Sequence, residues 1–192
     1  ILSVIAILVI TSCSEDATNP TRNNDEIFPL KVGNYWKFDV FSYDTLGNVI
    51  DQHEEIDKIV FDTIINNEKI FLIVDEINGK LDVSSTLIKR DDGIYIYFEG
   101  VGTFLLLQYP ISKGNKFNSM GRVWALESTN YDYTTPMGNL SCYQYSLDYS
   151  FEKQNHYYKP GVGRVAVELF DFTQSGRYYI QQKFVLKEYK VN

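Results

Sequence analysis

Turn-forming clusters recur along most of this chain at intervals of roughly 10 to 15 residues, and between them apolar and polar residues alternate. An alternation of period two is the signature of a strand with one buried face, and no segment keeps a 3.6-residue period with caps over three turns. The pattern therefore predicts an all-β chain with at most one or two short helical turns. Trp36, Phe38 and Val40 alternate with Lys37 and Asp39, which makes a first strand after the Gly33-Asn34 turn and places Trp36 in the core rather than at a ligand. A hairpin turn at 44–48 leads to a second strand over 49–61, whose early part, 51–55, is too polar to be buried. Residues 69–77 and 81–89 flank Asn78-Gly79, a strong hairpin signal because both residues tolerate positive φ. Further strands are expected at 94–98, 103–109, 122–128, 131–134, 141–149, 154–158, 164–172 and 178–189. Aromatics at 15%, with 15 Tyr and 12 Phe, suit pleated, half-buried surfaces. The expected architecture is a curved antiparallel meander forming an open barrel or a sandwich.

The first 12 residues are of a different kind, almost wholly aliphatic and without charge. A membrane-spanning helix needs about 20 apolar residues, and here Ser14, Glu15 and Asp16 end the run early. It reads as the apolar region of a secretory signal, and the absence of a methionine or a basic start predicts a clipped beginning. Ile10-Thr11-Ser12-Cys13 resembles the signal of bacterial lipoproteins. The resemblance implies cleavage before Cys13, a diacylglycerol thioether on its sulfur and fatty acylation of its amino group, a membrane anchor of several chains. Residues 1–12 are then a signal remnant, 13–26 a polar, Asn-rich tether and 27–192 a single β domain. Glu15-Asp16 resembles the export tag that some Gram-negative lipoproteins use to reach the outer face of the outer membrane.

Three further patches resemble small exported bacterial lipoproteins of unassigned function built as a curved antiparallel sheet. They are Phe28-Pro29-Leu30-Lys31-Val32-Gly33-Asn34-Tyr35-Trp36, then Thr135-Pro136-Met137-Gly138 with Cys142-Tyr143, and Tyr157-Tyr158-Lys159-Pro160-Gly161-Val162-Gly163-Arg164-Val165. Met137 and Leu140 depart from the usual pattern, and no catalytic residue carries over. The residues themselves give the third patch a tight bend at 160–163 that sends Val165, Val167 and Leu169 into the core.

Signals for chemistry are sparse. The net charge of −7 opposes binding to nucleic acid. Gly161-Val162-Gly163 lacks the third glycine of a phosphate loop, and no G-x-S-x-G elbow occurs. His53 and His156 are far apart, His53-Glu54-Glu55 lacks the second histidine of a helical zinc site, and neither a metal nor another cofactor is expected. With Cys13 lipidated, Cys142 has no partner and reads as a buried thiol. Asp91-Asp92, Asp75-Glu76 and Glu54-Glu55-Asp57 could contain a glycosidase pair, which their separation in space would decide. Tyr131, Tyr133, Tyr143 and Tyr145 are candidates for an aromatic binding face. The reading that leads is a non-enzymatic lipoprotein, anchored at the bacterial outer membrane through Cys13, whose β domain binds an envelope protein, a glycan or an apolar ligand. Its alternatives are a carrier of an apolar small molecule or lipid and a hydrolase of envelope or extracellular glycans.

Overall fold

The computed structural model describes residues 26–149 and 152–192. The signal, Cys13 and the tether up to residue 25 lie outside them. Twelve strands follow one another: β1 (Tyr35–Tyr43), β2 (Val49–Ile65), β3 (Glu68–Ile77), β4 (Lys80–Arg90), β5 (Gly93–Phe98), β6 (Gly102–Gln108), β7 (Lys116–Ser119), β8 (Arg122–Thr135), β9 (Gly138–Tyr149), β10 (Glu152–Lys159), β11 (Gly163–Phe172) and β12 (Tyr178–Lys190). No helix occurs among the described residues.

All twelve strands share one antiparallel sheet in the order β6-β5-β4-β3-β2-β1-β12-β11-β10-β9-β8-β7, bent into a nearly closed barrel. Every neighbour but one is also a neighbour in sequence. The exception is β1 against β12, paired from Tyr35 with Lys190 to Ser42 with Gln182, which joins two six-strand meanders down the middle. The outer strands at the gap, β6 and β7, are only seven and four residues long, which limits the exposed edge. From β9, the Tyr145 hydroxyl donates to the Gln108 carbonyl at the end of β6 (3.1 Å) and ties the two meanders together.

Two elements differ from the sequence reading. The two strands expected at 122–128 and 131–134 form the single β8, because two register slips against β9 absorb the polar residues between them. The four-residue β7 alternates in burial, but its second buried residue is Ser119, so its sequence shows no apolar alternation.

Trp36, Phe38 and Val40 are fully buried as their alternation required, and Leu126, Tyr145, Leu147, Val165 and Leu186 join them. A sheet of this width encloses more space than a small barrel's inward side chains fill. Segments outside the sheet supply the rest: Ile27, Phe28 and Leu30 from the N-terminal side, Tyr109 and Ile111 after β6. Phe28 stacks on Trp36 with ring centres 4.6 Å apart, and the Trp36 indole N–H donates to the Val162 carbonyl. The first and third sequence patches thus meet inside the barrel. Gly163 is where they touch, at φ +104°, and a Cβ there would lie 2.8 Å from the Phe28 ring and 2.9 Å from the indole nitrogen.

Gly163→Ala should therefore combine backbone strain with overpacking against two rigid rings, for a loss of about 2 to 5 kcal/mol. In a domain of this size that is a fall of roughly 5 to 15 °C in the unfolding midpoint. Thermal unfolding followed by far-UV circular dichroism checks it, and an unchanged midpoint would contradict the packing described.

Candidate functional site

Chain entering from the tether side lies across one end of the barrel. The Glu26 carbonyl accepts from the Gly161 amide (2.8 Å), and the Glu26 carboxylate pairs with Lys89. Between this strap, the β4–β5 turn and the segment after β6 lies a pocket of about 560 Å³. Its apolar walls are Ile27, Phe28, Ile94, Tyr109 and Pro110, and Glu26, Lys89, Arg90 and Asp91 supply its charges. The Arg90 guanidinium is fixed by two hydrogen bonds to the Glu68 carboxylate (2.7 and 3.0 Å) and lies over the Tyr95 ring. Gly93 lets β5 come close to β6: at φ +154°, a Cβ would fall 2.2 Å from the Leu107 carbonyl oxygen.

Phe28 and Ile94 also wall a second, inner pocket of about 80 Å³, bordered by Asp57, Ile73, Ser84, Ser85, Leu87, Leu106, Leu107, Tyr158 and Arg164. Register slips converge on it. Ser84 is the extra residue of β4 against β3, Leu106 that of β6 against β5, and Val165, beside Arg164, that of β11 against β10. Such one-residue insertions bend a strand and re-aim its side chains, which at Val165 turns the neighbouring Arg164 into the interior.

Arg164 reaches along the inner face of the sheet, over β12 and β1, to pair with Asp57, its guanidinium 4.7 Å from the centre of the Phe38 ring and 6.0 Å from that of Phe184. Glu55, Asp57 and Asp75 come together from β2 and β3, one carboxylate oxygen from each lying within 4.8 Å of the others. Burial pushes the Asp57 carboxyl up to about 7, with Arg164 acting downward and Asp75 upward. Burial likewise raises Glu55. On the same face His156 packs against Trp124 at 4.7 Å and hydrogen-bonds Gln154 (2.9 Å). Burial, then the nearby Arg164 charge, lowers its pKa to about 3.

The four candidate tyrosines are divided between the two faces of the sheet. Tyr143 and Tyr145 face inward: Tyr143 meets Tyr109, and Tyr145, fully buried, meets Phe117 and Tyr158. Tyr131 and Tyr133 lie on the outer face with Tyr157, the Tyr133 and Tyr157 rings 4.4 Å apart. Tyr133 and Tyr157 both donate to the Glu168 carboxylate (3.3 and 3.0 Å), with Lys183 3.8 Å from it. Of this set Tyr131 is the exposed member, at 41%, against 5% for Tyr133. Cys142 is buried, its thiol raised to about 11 by burial. Thr135-Pro136-Met137-Gly138 makes the β8–β9 hairpin, closed by the Thr135 hydroxyl on the Gly138 carbonyl (2.9 Å).

Of the acid clusters noted in the sequence, two contribute to the inner trio, Asp91 lines the outer pocket and Asp92 accepts from the Tyr95 hydroxyl (2.7 Å). Sequence reasoning missed the Arg164–Asp57 pair. Its signal was present, since Glu55 and Asp57 are in phase with Ile59, on the face that pairs with Trp36 and Phe38.

No family model matches the chain, and no curated protein matches it. Two solved structures share its fold. One is a protein described as exported, with a YmcC-like fold, from Bacteroides fragilis NCTC 9343: TM-score 0.52, 12% identity, covering 85% of this chain and 98% of that one. The other is described as a lipoprotein from Parabacteroides distasonis ATCC 8503: TM-score 0.53, 15% identity, covering 86% of this chain and 99% of that one. At these identities the likeness is one of fold.

The state of His156 gives a direct check on the interior. Its folded pKa lies below the unfolded value of about 6.5, so any stability it carries is fully present above that value and is lost as pH falls toward 3. Its imidazole signals in a proton NMR titration should stay at the neutral position down to pH 5 or so, and a midpoint near 6.5 would mean that the interior is wet at this point.

Proposed function

We propose that this chain is an envelope lipoprotein, held at the bacterial outer membrane through Cys13, that binds a small amphipathic ligand in the mouth of its barrel without turning it over. The observation that carries the ligand reading is the 560 Å³ pocket. Its volume and its apolar walls with a few convergent charges are those of small-molecule sites. A lipid chain running through the lumen fits less well, because Trp36, Phe38, Tyr145 and Leu147 already fill it. Glycan cleavage also fits less well: the pocket beside the inner carboxylates, about 80 Å³, has room for two or three waters rather than a sugar ring. The anchoring reading is supported by the sequence around Cys13 and by the descriptions of the two structures of like fold as exported protein and lipoprotein.

Two experiments test the two halves. Cys13→Ala, expressed with its native signal in a Gram-negative host, should move the domain from the outer-membrane fraction to the soluble one without changing its melting curve. Retention in the membrane would overturn the anchor. For the pocket, the probe is 1-anilinonaphthalene-8-sulfonate, an aromatic body with one charge. The parent should bind it saturably, and Asp91→Trp, which puts an indole into the mouth from an exposed position, should weaken binding at least tenfold with an unchanged fold. A parent that binds no probe, or a variant that binds it equally well, would remove the pocket from consideration.

A further inference from the structure

We propose that the Glu55, Asp57 and Asp75 carboxylates form a binding site for a hard divalent cation of calcium size in the wall of the barrel lumen. The claim is independent of what the outer pocket binds.

Geometry comes first. The three carboxylate oxygens lie within 4.8 Å of one another, and two oxygens on opposite sides of a calcium ion are about 4.6 to 5.2 Å apart. An ion placed among the three would be in ligand range of all of them after adjustments smaller than a bond length. Asp57 and Asp75 are cross-strand partners on β2 and β3, and Glu55 stands two residues along on the same face, so the backbone ladder holds the set together.

Unmet demand at the site is the second observation. Asp57 is only 5% exposed, and while Oδ2 engages Arg164, its Oδ1 is buried without a hydrogen-bond partner. Oδ1 of Asp75 is in the same condition. Buried polar atoms left in this state are rare, and an unplaced ion or water is one of the standard reasons for one. Arg164 balances one of the three carboxylates, so with all three ionised, the state a bound cation favours, the excess is two negative charges, the charge of one divalent cation.

Room and access are the third. The inner pocket of about 80 Å³ borders Asp57, holds two or three waters and adds the Ser84 and Ser85 residues to its wall. Calcium takes six to eight oxygens, more than three carboxylates supply one each, so water ligands and bidentate contacts complete the shell. Ser84, on the wall of this pocket at the β4 bulge, is itself exposed. All three side chains offer oxygen, with no histidine or cysteine among them, which selects hard cations over zinc or copper.

Terbium, a luminescent stand-in for calcium, gives the test, because Trp36 is the cross-strand partner of Asp57 and can sensitise it. Full-chain protein stripped with EDTA should show saturable, tryptophan-sensitised terbium luminescence that calcium displaces. Its unfolding midpoint should rise with added calcium. Asp75→Asn and, separately, Glu55→Gln should each weaken terbium and calcium binding at least tenfold while the metal-free protein keeps its far-UV spectrum and midpoint. Two variants guard against one that misfolds, and both are chosen to leave the Arg164–Asp57 pair intact. Absence of saturable luminescence in the parent, or equal binding by both folded variants, overturns the site. Neither outcome bears on 1-anilinonaphthalene-8-sulfonate binding at the mouth, so the two claims fail separately.

Discussion

Filling the lumen is the constraint from which the rest of this structure follows. A twelve-stranded sheet that curls toward closure leaves a hollow too wide for its own inward side chains, and an unfilled apolar hollow costs dispersion contacts on every wall. The chain solves this with its N-terminal segment, which brings Phe28 under Trp36 and fastens itself at Glu26 to the amide of Gly161. Asn34 locks the same corner. It is wholly buried, its side-chain amide donates to the Pro29 carbonyl (2.9 Å), its side-chain oxygen accepts from Asn192 (3.0 Å), and its backbone N–H and carbonyl bond Lys31 and Ile59. With all these groups satisfied, a buried asparagine fixes one arrangement of three chain segments rather than weakening the core.

The same corner positions the candidate sites. Phe28 divides the outer pocket from the inner one, so the plug that completes the core also forms the floor of the mouth. Around the inner pocket the strands slip register at Ser84, Leu106 and Val165, and the last of these turns Arg164 inward to meet carboxylates that already face the lumen in phase with Ile59 and Ile73. A core that accepts a guanidinium and three carboxylates gives up apolar burial. That cost is consistent with a wall that does more than hold the sheet together.

Period two and turn chemistry made the fold class and most strands legible. Trp36, Phe38 and Val40 could be assigned inward from five residues of sequence, and Asn78-Gly79 marks the β3–β4 turn, with Asn78 at φ +52° and Gly79 at φ +76°. What could not be read was whatever depends on register. Val165, Ala166 and Val167 are all buried although consecutive, because Ala166 pairs with Tyr157 on the outer face, where the tyrosine cluster covers it, while the slip at Val165 is what turns the even-numbered Arg164 inward. The four candidate tyrosines were grouped by sequence distance, yet β8 and β9 present two of them to each face. Asp57 was legible in phase and its partner was not, since nothing local announces a guanidinium 107 residues away.

Native-state hydrogen exchange at the closed corner tests the central claim most directly. If the N-terminal segment is an integral part of the core, the amides of Gly33 and Ile59, bonded at 2.9 and 3.0 Å, and of Gly161, bonded to Glu26, exchange as slowly as those of the paired β1 and β12. Gly161 is the decisive one, because it sits in a turn and its protection comes from Glu26 alone. Exchange of Gly161 in the slowest class is the result this account predicts. Exchange as fast as that of an open loop, with β1 and β12 still protected, would show that the strap is not seated and that the barrel stands without it.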